Sequence, residues 1–326
     1  MDKVIFLVLS IDAECDKDKN WNVRRPISFS NIKYGITQRL TPLFTKYNIK
    51  PTYLISPEVL HDKESVEVLK AIENCELGTH LHCEFIEPHA DHDSMTTLET
   101  QNTLTYEIEY KKMFNLTNLF KNQIGYSPLS FRAGRFGISM HTLKILAQLG
   151  YRIDSSVVPF RIQKYNSIKQ SFFGASLIPY RPSNDNYNKK GSSRVLEVPV
   201  SHFIEGFNNW PPFILRKLSD FNKLPIRILK RCGKNFRSNW IRPYRLNSEG
   251  LIQATKKMVQ TYFKGEKHAV INIMFHSNEV MENCSPYCSS TADIEKYINS
   301  LDVYFEHLYS NYQVESVALA DCVDFF

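Results

Sequence analysis

The chain has 326 residues, of which 43% are hydrophobic and 23% charged, so it can bury a large core and is not dominated by disorder. Its net charge of +6 and isoelectric point near 8.8 are mild for this length and do not indicate nucleic-acid binding. Seven cysteines have no regular spacing, and the apolar run at residues 4–12 is too short to span a bilayer. We therefore expect a cytoplasmic protein with reduced thiols.

Short apolar runs rich in β-branched residues alternate with helical patterns along most of the chain. In chain order, strands are predicted at residues 4–12, 51–56, 76–82, 129–137, 151–157, 195–200, 269–275 and 313–319. Helices are predicted at residues 35–47, 64–72, 98–120, 140–149, 248–263 and 293–308. This alternation predicts a single α/β domain over residues 1–326, a (β/α) barrel with a parallel sheet inside and helices outside.

Two segments interrupt the alternation and define a predicted insertion at residues 184–246. Residues 184–193 have the composition of a solvated loop. Residues 211–245 carry ten Lys or Arg residues against the single acid Asp220, interleaved with apolar and aromatic side chains. Such a mixture is typical of elements that lie on the anionic inner face of a membrane. The alternatives are a basic cover over the barrel rim and a grip on the phosphate of a sugar nucleotide.

Charged and imidazole side chains end two of the predicted strands. His80 and His82 are two residues apart, so both would face the same side of their strand at the mouth of the barrel. Asp12 and Glu14 end the first strand in the same way, and neighbouring carboxylates are both ionised at low cost only beside a cation. Glu14, His80 and His82 thus form a candidate site for a divalent metal, with Zn²⁺ expected and one position left for water. Asp12 would be the free carboxylate that accepts a proton from that water.

Five short segments follow one another in a specific order. They are Ser-Ile-Asp-Ala-Glu at 10–14, Glu-Leu-Gly-Thr-His-Leu-His at 76–82, Phe-Arg-Ala-Gly-Arg-Phe-Gly at 131–137, Tyr-Arg-Ile-Asp-Ser-Ser at 151–156 and Met-Phe-His-Ser at 274–277. As a set they resemble the motifs of the polysaccharide deacetylases, the NodB-homology group also called carbohydrate esterase family 4. The resemblance covers residues 4–160 and 247–326. It implies a distorted (β/α) barrel that removes N- or O-acetyl groups from sugars with the help of a metal.

The resemblance also implies roles for individual residues. Asp12 would be the general base, and Arg132 would orient it. Glu14 stands where the family has its ligand aspartate, and His80 matches the first ligand histidine. His276 would protonate the leaving group.

The chain departs from the family pattern at two positions. The family's adjacent pair of aspartates is replaced by Asp12-Ala13-Glu14, so the ligand carboxylate is longer and one residue further on. The second family histidine lies four positions after the first, where this chain has Glu84, so either His82 or Glu84 is the third ligand. Neutral imidazole suits zinc and favours His82, whereas two acidic ligands would favour a harder ion.

The residues and the resemblance together predict a metal-dependent deacetylase acting on an amino sugar during assembly of a surface polysaccharide, such as an O-antigen or a capsule. The substrate could be nucleotide-linked or lipid-linked, and nucleic acid is not expected as a partner. Two alternatives stay open. One is a barrel that only binds carbohydrate, because its ligand motifs are altered. The other is a deformylase acting on a lipid-linked amino sugar at the inner face of the membrane.

Overall fold

A computed structural model describes residues 3–91, 99–165, 168–207, 210–218 and 237–326. Its strands are β1 (Val4–Ala13), β2 (Thr52–Ile55), β3 (Glu76–Leu81), β4 (Ser130–Ala133), β5 (Ile153–Asp154), β6 (Ile162–Tyr165), β7 (Ile168–Ser171), β8 (Pro182–Ser183), β9 (Asn186–Lys190), β10 (Leu196–Glu197), β11 (His202–Ile204), β12 (Ser238–Trp240), β13 (His268–His276) and β14 (Gln313–Ser316). Its α-helices are α1 (Thr41–Lys46), α2 (Pro57–His61), α3 (Lys63–Lys70), α4 (Tyr106–Ile124), α5 (Thr142–Leu149), α6 (Pro212–Leu218), α7 (Ser248–Thr261) and α8 (Thr291–Asn311). A π-helical segment (Asn31–Leu40) leads into α1, and short 3₁₀ turns lie at Cys83–Phe85, Gln101–Thr103, Gly134–Phe136, Ser277–Val280 and Ala320–Asp324.

The central sheet of the described chain contains eight parallel strands in the order β10-β5-β4-β3-β2-β1-β13, with β14 beside the start of β1. β1 pairs with β13 on one side along nearly its whole length, and with β14 and then β2 on the other. The sheet curls until the backbone N–H of Ser201, just after β10, donates to the carbonyl of Asn272 in β13 (3.0 Å). This bond joins the two ends of the sheet into a distorted barrel, and the predicted fold class is confirmed.

The inner strands are mostly apolar because the barrel covers both of their faces. Residues 5–13 of β1 and 269–275 of β13 are all buried. A parallel sheet with helices outside has no solvated face, so its strands show unbroken hydrophobic runs instead of alternation. Polar side chains therefore gather where these strands end, which is where barrels of this kind place their chemistry.

Several predicted element bounds differ from the structure, and two of these differences have a clear local cause. The helix expected at 98–120 begins at Tyr106 because Thr105 caps its first turn, and it ends at Ile124 because Gly125 adopts a left-handed conformation (φ 100°). Residues 184–193, expected to form a loop, contain most of the β8–β9 hairpin. Tyr187 anchors this hairpin by packing on Phe172, with 5.5 Å between ring centroids, an anchor that the polar composition of the segment conceals.

The predicted insertion at 184–246 contributes to the barrel as well as to its cover. β10 lies within it and pairs with β5 in the central sheet. At the far end, Trp240 packs against Phe136 (6.2 Å between ring centroids) and Arg242 is buried, so residues 237–245 cover the barrel mouth. Residues 219–236 of the segment expected at the membrane lie outside the described residues. In the described part of the chain, no helix has the length and apolarity needed to cross a bilayer.

Candidate active site

The carboxyl ends of neighbouring strands bring the predicted site residues together. In the pairing of β1 with β13, Asp12 lies opposite His276, and in the pairing of β3 with β4, His80 lies opposite Arg132. Parallel strands end at the same edge of the sheet, so the residues that follow them share the mouth of the barrel. The six predicted residues gathered there are Asp12, Glu14, His80, His82, Arg132 and His276.

Three ligand-type atoms converge on one point. Oε1 of Glu14 lies 3.2 Å from Nε2 of His80 and 3.1 Å from Nε2 of His82, and the two nitrogens are 3.1 Å apart. Ligands bound tetrahedrally to zinc at about 2.1 Å lie about 3.4 Å from one another, close to this spacing. Two imidazoles and a carboxylate are also a donor set that suits zinc. Glu14, His80 and His82 could therefore hold a divalent ion.

Hydrogen bonds on the far side of each imidazole fix its orientation. Nδ1 of His80 lies 3.0 Å from the carbonyl oxygen of Arg132, and Nδ1 of His82 lies 3.3 Å from Oε1 of Glu84. With Nδ1–H donating to these oxygens, the Nε2 lone pair of each ring is left for a metal. Glu84 in turn pairs with Arg135 (2.5 Å). This arrangement favours His82 as the third ligand and makes Glu84 the carboxylate that orients it.

The electrostatics of the cluster favour positive charge beside Glu14. Burial acts to raise the pKa of Glu14, but Lys17 and the two imidazoles outweigh it and hold that pKa well below its usual range. Burial acts to lower the pKa of His82, yet Glu14 and Glu84 raise it to about 9. Without a metal, these carboxylates thus favour a proton on His82. A divalent ion would replace that proton.

Asp12 is held by one oxygen and exposes the other to the cluster. Its Oδ1 accepts a 2.7 Å hydrogen bond from Nη1 of Arg132, which is fully buried. The other nitrogens of the guanidinium donate to Ser10 Oγ (2.6 Å), Ser155 O (2.8 Å) and Ser155 Oγ (2.8 Å), so the side chain cannot turn away. Oδ2 of Asp12 faces Nε2 of His80 at 3.8 Å and Nε2 of His276 at 3.9 Å. One carboxylate oxygen is therefore left to accept a proton.

A buried ion pair contacts His276 on its Nδ1 side, and the sequence did not predict it. Its Nδ1 lies 2.9 Å from Oε1 of Glu279 and 3.0 Å from Nη2 of Arg242, which are themselves paired. Burial acts to raise the pKa of Glu279, but Arg242 and His276 lower it. The spacing of three residues from His276 to Glu279 was an available signal. Arg242 was hidden in the basic segment at 211–245.

Aromatic rings border the most exposed part of the site. The side chain of His276 is 18% exposed, whereas those of Asp12, Glu14, His80 and His82 are 6% exposed or less. Trp21 packs on the His276 ring with 5.0 Å between centroids, and Tyr287 packs on Trp21 at 5.3 Å. Tyr244 stacks in turn on Tyr287. A substrate would therefore approach the cluster along this aromatic edge.

Asp154, which lies in one of the family-like segments, is outside this cluster. It follows Ile153 in β5, and the next residue, Ser155, is the one that binds Arg132, so Asp154 points to the other face of the strand. There it lies beside the side chain of Glu197, its partner in the pairing of β5 with β10. Both carboxyl groups are fully buried.

Comparison with known proteins gives the fold. No family model matches the sequence, and no curated protein is significantly similar to it. A protein assigned as a polysaccharide deacetylase from Mycobacterium smegmatis is 14% identical with a TM-score of 0.56, over 100% of this chain and 91% of that one. A protein assigned as a glycoside hydrolase or deacetylase from Parabacteroides distasonis is 11% identical with a TM-score of 0.61, over 99% and 71%. An allantoinase is 14% identical with a TM-score of 0.53, over 98% and 89%.

At these identities the comparisons establish the architecture. The chain has the fold of the polysaccharide deacetylases, so the resemblance read from its motifs is confirmed at the level of the fold. An allantoinase shares this fold, so the architecture alone does not identify a substrate. An assignment of function must come from the side chains at the barrel mouth.

Proposed function

We propose that the protein is a metal-dependent hydrolase that removes an acetyl group from an amino sugar. The observation that carries this proposal is the convergence of Glu14, His80 and His82 within 3.2 Å of one another, with Asp12 and His276 beside them. The neighbours with deacetylase assignments support it, since they share the fold. We further propose that the sugar belongs to a surface polysaccharide under assembly.

Glu14, His80 and His82 would hold the metal, which we propose to be Zn²⁺. When bound, the ion supplies the Lewis acidity that activates water and polarises the acetyl carbonyl. Glu84 and the carbonyl of Arg132 keep the two imidazoles turned towards this position.

The remaining residues move protons. Asp12 accepts a proton from the attacking water on Oδ2, the oxygen that Arg132 leaves unbound. The oxygen of water bonds to the carbonyl carbon as the C=O π bond opens, which gives a tetrahedral adduct. When this adduct re-forms the C=O bond, the C–N bond breaks, and His276 donates a proton from Nε2 to the departing nitrogen. Glu279 stabilises the positive charge of the imidazolium from the Nδ1 side. The products are acetate and the free amino sugar.

The aromatic edge formed by Trp21, Tyr287 and Tyr244 would receive the sugar ring. Aromatic rings beside a few fixed polar groups are typical of small-molecule sites, because the rings supply contact area and the polar groups supply orientation. Because this edge adjoins His276, a sugar resting on it would present its acetamido group to the proton donor.

The test combines metal analysis of the purified protein with acetate release from N-acetylated amino sugars in free, nucleotide-linked and lipid-linked form. His80→Ala should lower bound metal and acetate release together. His61→Ala, which changes an exposed histidine at the end of α2, should change neither.

Acetate release by His80→Ala at the wild-type rate would contradict the proposal. Release of formate in place of acetate would favour the deformylase alternative. Bound metal with neither product would leave a barrel that binds carbohydrate without turnover.

A further inference from the structure

A buried lysine lies directly behind the candidate metal ligand Glu14. Nζ of Lys17 is 3.2 Å from Oε2 of Glu14, and only 6% of the lysine side chain is exposed. The backbone holds it there, since the N–H of Lys17 donates to the carbonyl of Cys284 (3.1 Å) and Lys17 pairs with Val23 in a short antiparallel bridge. Lysine is seldom buried so completely unless it is paired.

The position of Lys17 is unusual because the proposed metal would be a second cation beside Glu14. An ammonium beside a divalent ion is repelled by it, and burial weakens the screening that would relieve the repulsion. The ion pair between Lys17 and Glu14 must therefore offset the free-energy cost of this repulsion. The two oxygens of that carboxylate are divided between two tasks: Oε1 faces the imidazoles of His80 and His82, and Oε2 faces Lys17.

We propose that Lys17 is a positioning residue that limits Glu14 to one oxygen for metal binding. This inference rests on the proposed function, because it assigns the metal to Glu14, His80 and His82. A glutamate carboxylate can bind a cation through one or both oxygens. Without Lys17, the second oxygen of Glu14 could turn to the ion and occupy a position needed by water or by the acetyl carbonyl.

The same division of oxygens occurs in the neighbouring carboxylate. Oδ1 of Asp12 is tied to Arg132, while Oδ2 faces the cluster. Lys17 binds one oxygen of Glu14 just as Arg132 binds one oxygen of Asp12, and in each case the second oxygen faces the cluster. The longer side chain of Glu14 makes this restraint more necessary, since each added rotatable bond allows the carboxylate to turn.

A purely structural role for Lys17 would have a different basis. The buried carboxylate of Glu58 also acts electrostatically on Lys17, and its Oε1 accepts a hydrogen bond from the backbone N–H of Cys15 (3.2 Å). If Lys17 only balanced Glu58, its loss would destabilise the loop after β1 and weaken metal binding without changing the way Glu14 binds the ion.

Visible absorption of the Co²⁺-substituted protein separates these roles, because four-coordinate Co²⁺ absorbs more strongly than five- or six-coordinate Co²⁺. Lys17→Met keeps the length of the side chain and removes the charge. The expected result is a loss of molar absorbance, with Co²⁺ bound at least as tightly as in the wild type. Lys17→Arg restores the cation and should restore the wild-type spectrum. Lys33→Met, which breaks ion pairs with Asp62 and Glu64 away from the site, is the control and should change neither quantity.

A wild-type spectrum in Lys17→Met would overturn the inference, whether the variant binds Co²⁺ as tightly as the wild type or more weakly. If Lys17→Met does not fold, the Lys17→Met/Glu58→Gln double variant removes the buried carboxylate as well, and the same loss of absorbance is expected from it. A wild-type protein that binds Co²⁺ but releases no acetate contradicts the proposed function and leaves the spectral comparison intact. A wild-type protein that binds no Co²⁺ overturns both.

Discussion

Two groups of buried carboxyl groups in this barrel are stabilised in opposite ways. At the mouth, each carboxylate faces its own cation: Asp12 faces Arg132, Glu14 faces Lys17, Glu84 faces Arg135 and Glu279 faces Arg242. On the outer face of β5 and β10, Asp154 and Glu197 face each other.

The two groups accordingly differ in protonation. Burial acts to raise the pKa of Glu84, but His82 and Arg135 hold it well below its usual range. In the outer pair, burial raises the pKa of Asp154 to about 6 and that of Glu197 well above its usual range, and their mutual repulsion adds to the effect on Glu197. Burial alone therefore does not decide the charge of a carboxyl group. The partner matters as well: a buried carboxyl group beside a cation has a lowered pKa, whereas one beside a second carboxyl group binds its proton more tightly.

The largest effect is expected from removing a carboxylate at the mouth. Asp12→Asn keeps the shape of the side chain but cannot accept a proton, so kcat for acetate release should fall about 10²- to 10⁴-fold. Steady-state kinetics with circular dichroism would measure the loss in a folded protein. Asp324→Asn, at an exposed position in the last turn of the chain, should retain wild-type kinetics. Wild-type turnover by Asp12→Asn would remove Asp12 from the mechanism.

Removing a cation at the mouth should leave its buried carboxylate without a partner and so lower the stability of the protein. Arg132→Met leaves Asp12 buried without its partner, and breaking a buried pair in this way costs about 3–5 kcal/mol in the free energy of unfolding. Urea unfolding would measure the loss. Arg152→Met, at an exposed position near the start of β5, should cost less than about 0.5 kcal/mol.

The Asp12→Asn/Arg132→Met double variant sharpens the Arg132 result. It removes both charges, so it should recover part of the stability lost in Arg132→Met alone. Additive losses would show that the two side chains do not form a unit.

The outer pair should make stability depend on pH. Between about pH 4, where unfolded carboxyl groups ionise, and the folded pKa of about 6 for Asp154, the folded protein binds more protons than the unfolded chain. The free energy of unfolding should therefore be highest at the acidic end of this window and fall as pH rises through it. Glu197→Gln can donate a hydrogen bond to an ionised Asp154, so the free energy of unfolding of this variant should vary less between pH 4 and pH 6, by about 1–3 kcal/mol.

Urea unfolding at several pH values would compare Glu197→Gln with the wild type. Glu306→Gln, on the exposed side of α8, is the control and should follow the wild-type pH dependence. Parallel curves for the wild type and Glu197→Gln would show that the outer pair does not share a proton.

The smallest effect is expected at the aromatic edge, where contact area and not charge is involved. Trp21→Ala removes a ring beside His276, and aromatic contacts are worth about 0.5–1.5 kcal/mol, so KM should rise roughly two- to tenfold with little change in kcat. Initial-rate kinetics with the preferred sugar would measure the change. Tyr34→Ala, which alters an exposed ring in the π-helical segment, should leave KM unchanged. A fall in kcat with constant KM would mean that Trp21 acts on His276 and not on the sugar.

The sequence could predict the buried strands and the site residues at their carboxyl ends. Asp12 and His276 each follow a largely apolar run, and His80 lies near the end of a short predicted strand. Such runs predict both a buried strand and a side chain at the barrel mouth. The three small antiparallel sheets of the described chain were missed, because β6 to β9, β11 and β12 are brief and largely polar.

Arg132 was predicted as the partner of Asp12, but two other partners of the site residues were missed. Lys17 comes from the connection after β1, and Arg242 comes from the basic segment at 211–245, whose composition suggested membrane contact. Which cation meets which carboxylate depends on how these segments fold back over the barrel. Local patterns in the sequence do not contain that information.

The pairing of β1 with β13 has a consequence for how the chain can change in length. Nine successive residue pairs, from Val4 with His268 to Asp12 with His276, hold the proposed proton acceptor and proton donor side by side. Deleting one residue within either strand would turn every later side chain to the opposite face. Insertions and deletions compatible with activity should therefore be confined to the connections between strands. The cross-strand pairing of Asp12 with His276 should persist in any active descendant of this sequence.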